Sequence, residues 1–251
     1  MRIDVGSSNF NRRLFISKLI AFLGLATLPD SLVATSHKTL EVFVEESGTL
    51  RAGCLCIGAL FLENPHAQLA AVRELRKRYK FQRRLRRSNT SKFQIEFAAA
   101  MLDHFLTDPS VRFLCRVIPA PVDASQSHVQ QLYNFHYRQL LSDVSRHGEH
   151  LRLTVTHHSL SHRDSFLYQY LQAEVPQIKN IQVVRIKTND LLQVSGFFTG
   201  YVWADCQEPD PNLTNKAKKQ IMSNFHLHCK TTSLSKQSFS YKGKFQVYVA
   251  G

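Results

Sequence analysis

The residues best placed to do chemistry are Glu45 and Glu46. They are adjacent carboxylates at the end of a hydrophobic run, Leu40-Glu41-Val42-Phe43-Val44-Glu45-Glu46-Ser47-Gly48. A strand that ends in a carboxylate delivers it to the rim of a sheet, where oxygen ligands suit a hard divalent cation such as Mg2+ or Mn2+. Phosphodiester hydrolysis by two such ions, about 4 Å apart, needs several carboxylates converging from different elements. Glu45 is therefore the candidate metal ligand, and Glu45 with Glu46 the candidate catalytic pair. A second grouping is His157, His158 and His162, with Asp164 close by. In a chain with 12 histidines such a cluster is more often incidental than metal-binding. No Gly-rich phosphate loop, Ser-His-Asp order or Cys-His nucleophile pattern stands out.

A second kind of chemistry lies in charge. Lys plus Arg outnumber Asp plus Glu by 32 to 19, a formal charge of +13. Such a balance points to a polyanionic partner, either nucleic acid or an anionic membrane surface, and says nothing about fold. The surplus is concentrated: from Arg73 to Lys92 there are ten basic residues against Glu74 alone. Arg76, Lys77, Arg78, Lys80, Arg83, Arg84, Arg86 and Arg87 are the candidate nucleic-acid contacts, the bland alternative being a solvated helix face. Tyr79 and Phe81 lie inside the run, either to stack on bases or to form the apolar stripe that docks the helix.

Cys54, Cys56, Cys115, Cys206 and Cys229 make an odd number without zinc spacing. Cys54 and Cys56 lie two apart in a strand-like run and share a face, and buried thiols are the expectation. No stretch is long enough to span a bilayer. Asn11-Arg12-Arg13-Leu14-Phe15-Ile16-Ser17-Lys18 precedes a short apolar run and looks like a twin-arginine export leader, though Ser31-Leu32-Val33-Ala34-Thr35 lacks a clean Ala-x-Ala. A cytoplasmic chain with an N-terminal amphipathic helix or extension is the favoured alternative.

The elements that must position these residues follow from periodicity. Residues 1–36 form a leader or extension. Lys38–Glu46 and Cys54–Phe61 make a hairpin around Ser47-Gly48-Thr49, and Asn64-Pro65 opens a helix to about Lys80. Then come a helix Phe93–Leu106, strand Val111–Ile118, helix Val129–Ser145, strand Leu151–Thr156, helix His162–Ala173 and strand Ile181–Lys187. Asp190 caps a helix Leu191–Ala204. A basic helix Leu213–Cys229 and a terminal strand or hairpin, Phe239–Val249, complete the chain. Strands alternating with helices after an opening hairpin indicate one mixed α/β domain over 37–205, with 206–251 packed on it as a C-terminal addition.

Two segments carry a family resemblance. Val42-Phe43-Val44-Glu45-Glu46-Ser47-Gly48 resembles the hydrophobic-Asp-Glu-Ser-Gly strand end of the bacterial family catalogued as domain of unknown function 3800. Leu191-Leu192-Gln193-Val194-Ser195-Gly196, with Gly200 four residues on, resembles its late helix, Leu-Gln-hydrophobic-Ala-Asp. The resemblance covers about Thr39 to Asp205. It implies a ribonuclease-H-like fold and a metal-dependent nuclease, with Mg2+ or Mn2+ as cofactor. It also exposes a departure. The family's first Asp is Glu45 here, and Glu46 matches. The family's Glu-Leu-Lys falls on Arg84-Leu85-Arg86, its middle-strand Asp near Thr156 and its late-helix Asp on Gly196. Three of four acidic positions are replaced, one of them by an arginine, which repels a cation and attracts phosphate. The expected function is thus a nucleic-acid-binding, ribonuclease-H-like protein with a degenerate, inactive metal site. Two alternatives stand beside it: an active Mg-dependent nuclease using Glu45 and Glu46, and a non-enzymatic subunit docking on an acidic protein partner.

Overall fold

The computed structural model describes residues 38–50, 53–85, 92–120, 126–144, 149–156, 161–207 and 216–250. The twin-arginine-like segment, Arg86, Arg87, His157 and His158 lie outside the described residues, as do the side chains of His162 and Asp164. No helix among the described residues is long and apolar enough to cross a membrane.

The chain opens with β1 (Thr39–Thr49) and β2 (Cys54–Leu62), paired antiparallel from Glu41 opposite Leu62 to Thr49 opposite Cys54. The reversal expected at Ser47-Gly48-Thr49 comes later, where Gly53 N–H donates to the Leu50 carbonyl at 3.2 Å. Gly48 stays in the strand at φ +79°, and a Cβ there would overlap the Trp203 ring. β3 (Val111–Pro119) pairs antiparallel with β2, while β4 (His150–Thr156) runs parallel to β1 and β5 (Ile178–Val184) parallel to β4. β6 (Phe239–Tyr241) and β7 (Phe245–Val249) form a terminal hairpin whose second strand runs parallel to β3. The sheet order is β5-β4-β1-β2-β3-β7-β6. Its first five strands, with β1–β2–β3 antiparallel and β4 and β5 parallel to β1, form a ribonuclease-H-like mixed sheet.

Among the described residues six α-helices flank this sheet: α1 (Pro65–Arg78), α2 (Lys92–Thr107), α3 (Gln126–Val144), α4 (Ser161–Glu174), α5 (Asp190–Cys206) and α6 (Lys216–Cys229). α1 starts as its sequence dictates: the Asn64 side chain accepts from Ala67 N–H at 3.1 Å and Pro65 fills the first turn. Two corrections concern the approach to α5. β5 ends at Val184, and Ile186–Thr188 form a 3-10 turn instead of continuing the strand. The cap of α5 is Asn189, accepting from Leu192 N–H at 2.9 Å, so Asp190 is the first helical residue.

Strand alternation divides the core in two. One face buries Phe43, Cys56 and Leu60 beneath α2, α5 and α6, whose Phe97, Phe105, Phe197, Phe198, Tyr201 and Phe225 form an aromatic layer. The other buries Val42, Val44 and Ile57 beneath α3 and α4. Gly58 sets how closely α5 lies on the sheet, because a Cβ there would overlap the Thr199 side chain. Ser195 Oγ donates to the Gly58 carbonyl at 3.4 Å, and Gly58 is the register partner of Glu45. A bare β2 position thus lets the helix settle beside the candidate site.

The expectation of buried thiols at Cys54 and Cys56 holds for Cys56, which is free and buried like Cys115 and Cys229. It is corrected for Cys54, which is joined to Cys206 as a disulfide between the start of β2 and the end of α5.

Candidate functional site

Glu45 and Glu46 do not form a pair. The period of two in an extended chain sends their side chains to opposite faces of the sheet. Glu46 turns toward α3, where Tyr133 Oη and Tyr137 Oη both donate to its Oε1, the latter at 2.5 Å. Tyr137 is buried, and that burial, with the Glu46 charge beside it, pushes its phenol well above the usual range. Its phenol therefore stays protonated, as a donor to that carboxylate must. The sequence reading of two cooperating carboxylates is corrected on this point.

Glu45 turns the other way, toward α5, and is only 4% exposed. Thr156, the last residue of β4, donates its hydroxyl to Glu45 Oε1. Glu46 N–H donates to Oε2 at 3.2 Å. Gly196 faces the same carboxyl, since a Cβ there would lie 3.4 Å from Glu45 Cγ and 3.7 Å from Cδ. Burial pushes the Glu45 carboxyl up to about 8, a rise that the Glu46 N–H partly opposes and the Glu46 charge reinforces. At neutral pH the group is a neutral acid.

The loop that carries Arg84 reaches this region through Gln193. Leu85 N–H donates to Gln193 Oε1 at 2.9 Å, and Arg76 Nη2 donates to the same oxygen at 3.1 Å. Gln193 Nε2 in turn donates to the carbonyls of Ile186 at 3.2 Å and Lys187 at 3.4 Å. One buried amide therefore pins the 81–85 loop and the 3-10 turn to α5, one helical turn from Gly196. Three of the positions singled out in the sequence, Glu45, Thr156 and Gly196, meet at one point. The fourth, Arg84, lies beside Leu85 on the loop that Gln193 holds, its Nε buried and without a hydrogen-bond partner.

Among the described residues the donor set does not fit a divalent cation. Mg2+ and Mn2+ call for several ionised oxygens. Among the described residues this pocket offers one carboxyl, one hydroxyl and a glycine. Among the described residues no three His, Cys, Asp or Glu side chains come together as a metal site.

The basic run divides by exposure. Arg73, Lys77, Arg78, Lys80 and Arg83 are exposed. Arg76 is not available to an external partner: its guanidinium pairs with Asp190 at 3.0 Å, donates to the Phe81 and Arg83 carbonyls at 3.3 and 2.8 Å, and sits over the Phe81 ring. Phe81 stacks on Phe97 at 4.6 Å and is buried, so it belongs to the stripe that docks α1 and does not stack on bases.

Asp205, at the end of α5, is the most fully engaged carboxylate described. His226 Nε2 lies 3.0 Å from its Oδ1. Its Oδ2 accepts from Ser233 Oγ at 2.6 Å, Leu234 N–H at 2.8 Å, and Ser235 N–H and Oγ, each at 2.9 Å. Burial alone would raise this group, but those hydrogen bonds outweigh it and hold Asp205 below the ordinary range. It ties the 231–236 loop to α5.

No family model matches this chain. No curated protein matches it. Gln193, Tyr133, Tyr137 and the Asp205 cradle were not legible as site residues in the sequence. Only Gln193 carried a signal, its place in the late-helix segment three residues before Gly196.

Proposed function

We propose that this chain is a nucleic-acid-binding protein, related to the nuclease-like family catalogued as domain of unknown function 3800, whose metal centre is degenerate and inactive. The observation that carries the reading is the convergence of Glu45, Thr156 and Gly196. The positions where that resemblance expects carboxylates adjoin one another, and only one of them is acidic. The exposed Arg73, Lys77, Arg78, Lys80 and Arg83 supply the phosphate contacts, giving binding with little sequence preference.

Salt titration tests the binding half. If all five exposed cations engage duplex DNA, log K falls with log salt at a slope of about −4.5. Replacing Lys77 and Arg78 with Gln lowers that slope by about 2. Arg76→Gln leaves the slope unchanged and lowers fold stability, because it breaks the Asp190 pair and strips a donor from Gln193. Absence of any gel shift with RNA or DNA at low salt would favour an acidic protein partner.

Rebuilding the centre tests the degenerate half. A Cβ at Gly196 would already be in van der Waals contact with Glu45 and Ile186, so a carboxylate there crowds Glu45. The double variant Thr156→Asp/Gly196→Asp should therefore be less stable than the wild type without metal, from crowding of carboxylates. Mn2+ should raise its Tm progressively, with the logarithm of concentration above Kd, while leaving the wild type unmoved. Equal insensitivity of both proteins to Mn2+ counts against an ancestral metal pocket here.

A further inference from the structure

The face of α2 turned away from the core carries a trough of about 820 Å3 beside α1, with His228 of α6 also lining it. Half-buried Ala71, Ala99 and Ala100 form its floor, where small side chains let a second backbone approach closely. Glu74, Glu96 and Asp103 are exposed along its walls. Glu96 and Asp103 lie two turns apart on α2, about 10 Å along the axis, with Ala99 and Ala100 on the turn between.

These three carboxylates stand apart electrostatically. Every other described Asp or Glu side chain has an ion-pair or hydrogen-bond partner. Even the exposed Glu63 and Glu174 hold Lys38 and Arg138. The side chains of Glu74, Glu96 and Asp103 have no partner among the described residues, although Lys plus Arg outnumber Asp plus Glu by 32 to 19. Arg78, one turn after Glu74, lines the trough without pairing with them, so negative charge is in surplus. The two histidines are engaged elsewhere: His104 Nε2 lies 2.7 Å from Gln68 Oε1, and His228 Nδ1 donates to the Asn224 carbonyl at 2.8 Å. Phosphate is repelled here, which separates the trough from the cations proposed above to hold nucleic acid. Walls this exposed do not enclose a small molecule.

We propose that this trough docks a basic amphipathic helix of a partner protein. Lys or Arg at i and i+7 of that helix pair with Glu96 and Asp103, and apolar residues at i+3 and i+4 lie on Ala99 and Ala100. Glu74 faces the same helix from the α1 wall. The contact is independent of the nucleic-acid reading, since it uses the opposite sign of charge.

Fluorescence anisotropy of the full chain with a labelled, alanine-based helical peptide provides the test. The peptide carries Lys at i and i+7 and Leu at i+3 and i+4, and a control peptide carries Glu in place of Lys. The formal charge of +13 opposes the Lys peptide over the rest of the surface, so its binding reports the trough. The wild type is expected to bind the Lys peptide at least about tenfold more tightly than the Glu peptide. Glu96→Lys/Asp103→Lys should reverse that order, whereas Glu174→Lys, on α4 across the sheet, should preserve it. Circular dichroism checks that the variants fold. A wild type without preference for the Lys peptide, or a preference that survives the double reversal, would overturn the proposal. Spermine displacing the Lys peptide at a lower concentration than the unlabelled peptide does would assign the trough to a small polycation and overturn the helix.

Discussion

Replacing Glu45 with Gln is expected to flatten a pH dependence that the wild type carries. The folded protein holds the Glu45 proton until pH about 8, whereas the unfolded chain releases it near 4.5. The folded state therefore binds more protons throughout that window. The contribution to stability is complete below pH 4.5, falls by about 1.4 kcal/mol per pH unit, and is lost once pH passes 8. The whole change is on the order of 5 kcal/mol. Gln keeps the shape and an oxygen for the Thr156 hydroxyl but has no proton to lose. Urea denaturation of both proteins from pH 4.5 to 9 measures the difference directly. The Gln variant should gain on the wild type steadily as pH rises. A stability difference that stays constant across that range contradicts a buried, protonated Glu45.

The second large effect lies at Asp205. Asp205→Ala removes the acceptor for two hydroxyls, two backbone amides and the His226 ring in a site that is 1% exposed. Breaking a buried, hydrogen-bonded charge in this way costs about 3–5 kcal/mol, because the stranded donors lose their partner without regaining water. Hydrogen exchange should show the amides of Leu234 and Ser235 losing protection first. Asp205→Asn keeps one acceptor oxygen and should cost less. If Asp205→Ala leaves the protection of those amides intact, the cradle does not hold the loop.

Much of the frame was legible because its signals are local. An apolar run into Glu45, a Gly after it and a second apolar run gave the opening hairpin; Asn64-Pro65 gave the start of α1. What escaped was set by neighbours distant in sequence. Glu45 and Glu46 look like a pair in one dimension, yet the pleat separates them, and only the identity of the covering helices decides which is buried with Thr156 and which with two tyrosines. Arg76 resembles the cations beside it until Asp190 and Gln193, more than a hundred residues away, draw it inward. β5 was expected at Ile181–Lys187 but begins at Ile178, where an irregular register against β4 obscures the alternation. Asn189 and Asp190 are both good caps, and the 3-10 turn before them selects the first.

The claim on which the rest depends is that this pocket belongs to a nuclease-like frame that holds polyanions without cutting them. Its most direct test is to incubate the purified chain with end-labelled RNA and DNA in Mg2+ and in Mn2+, reading binding and cleavage from the same samples. Retarded, intact nucleic acid in both metals, for wild type and Glu45→Gln alike, is the predicted result. Cleavage by the wild type that Glu45→Gln abolishes would contradict it.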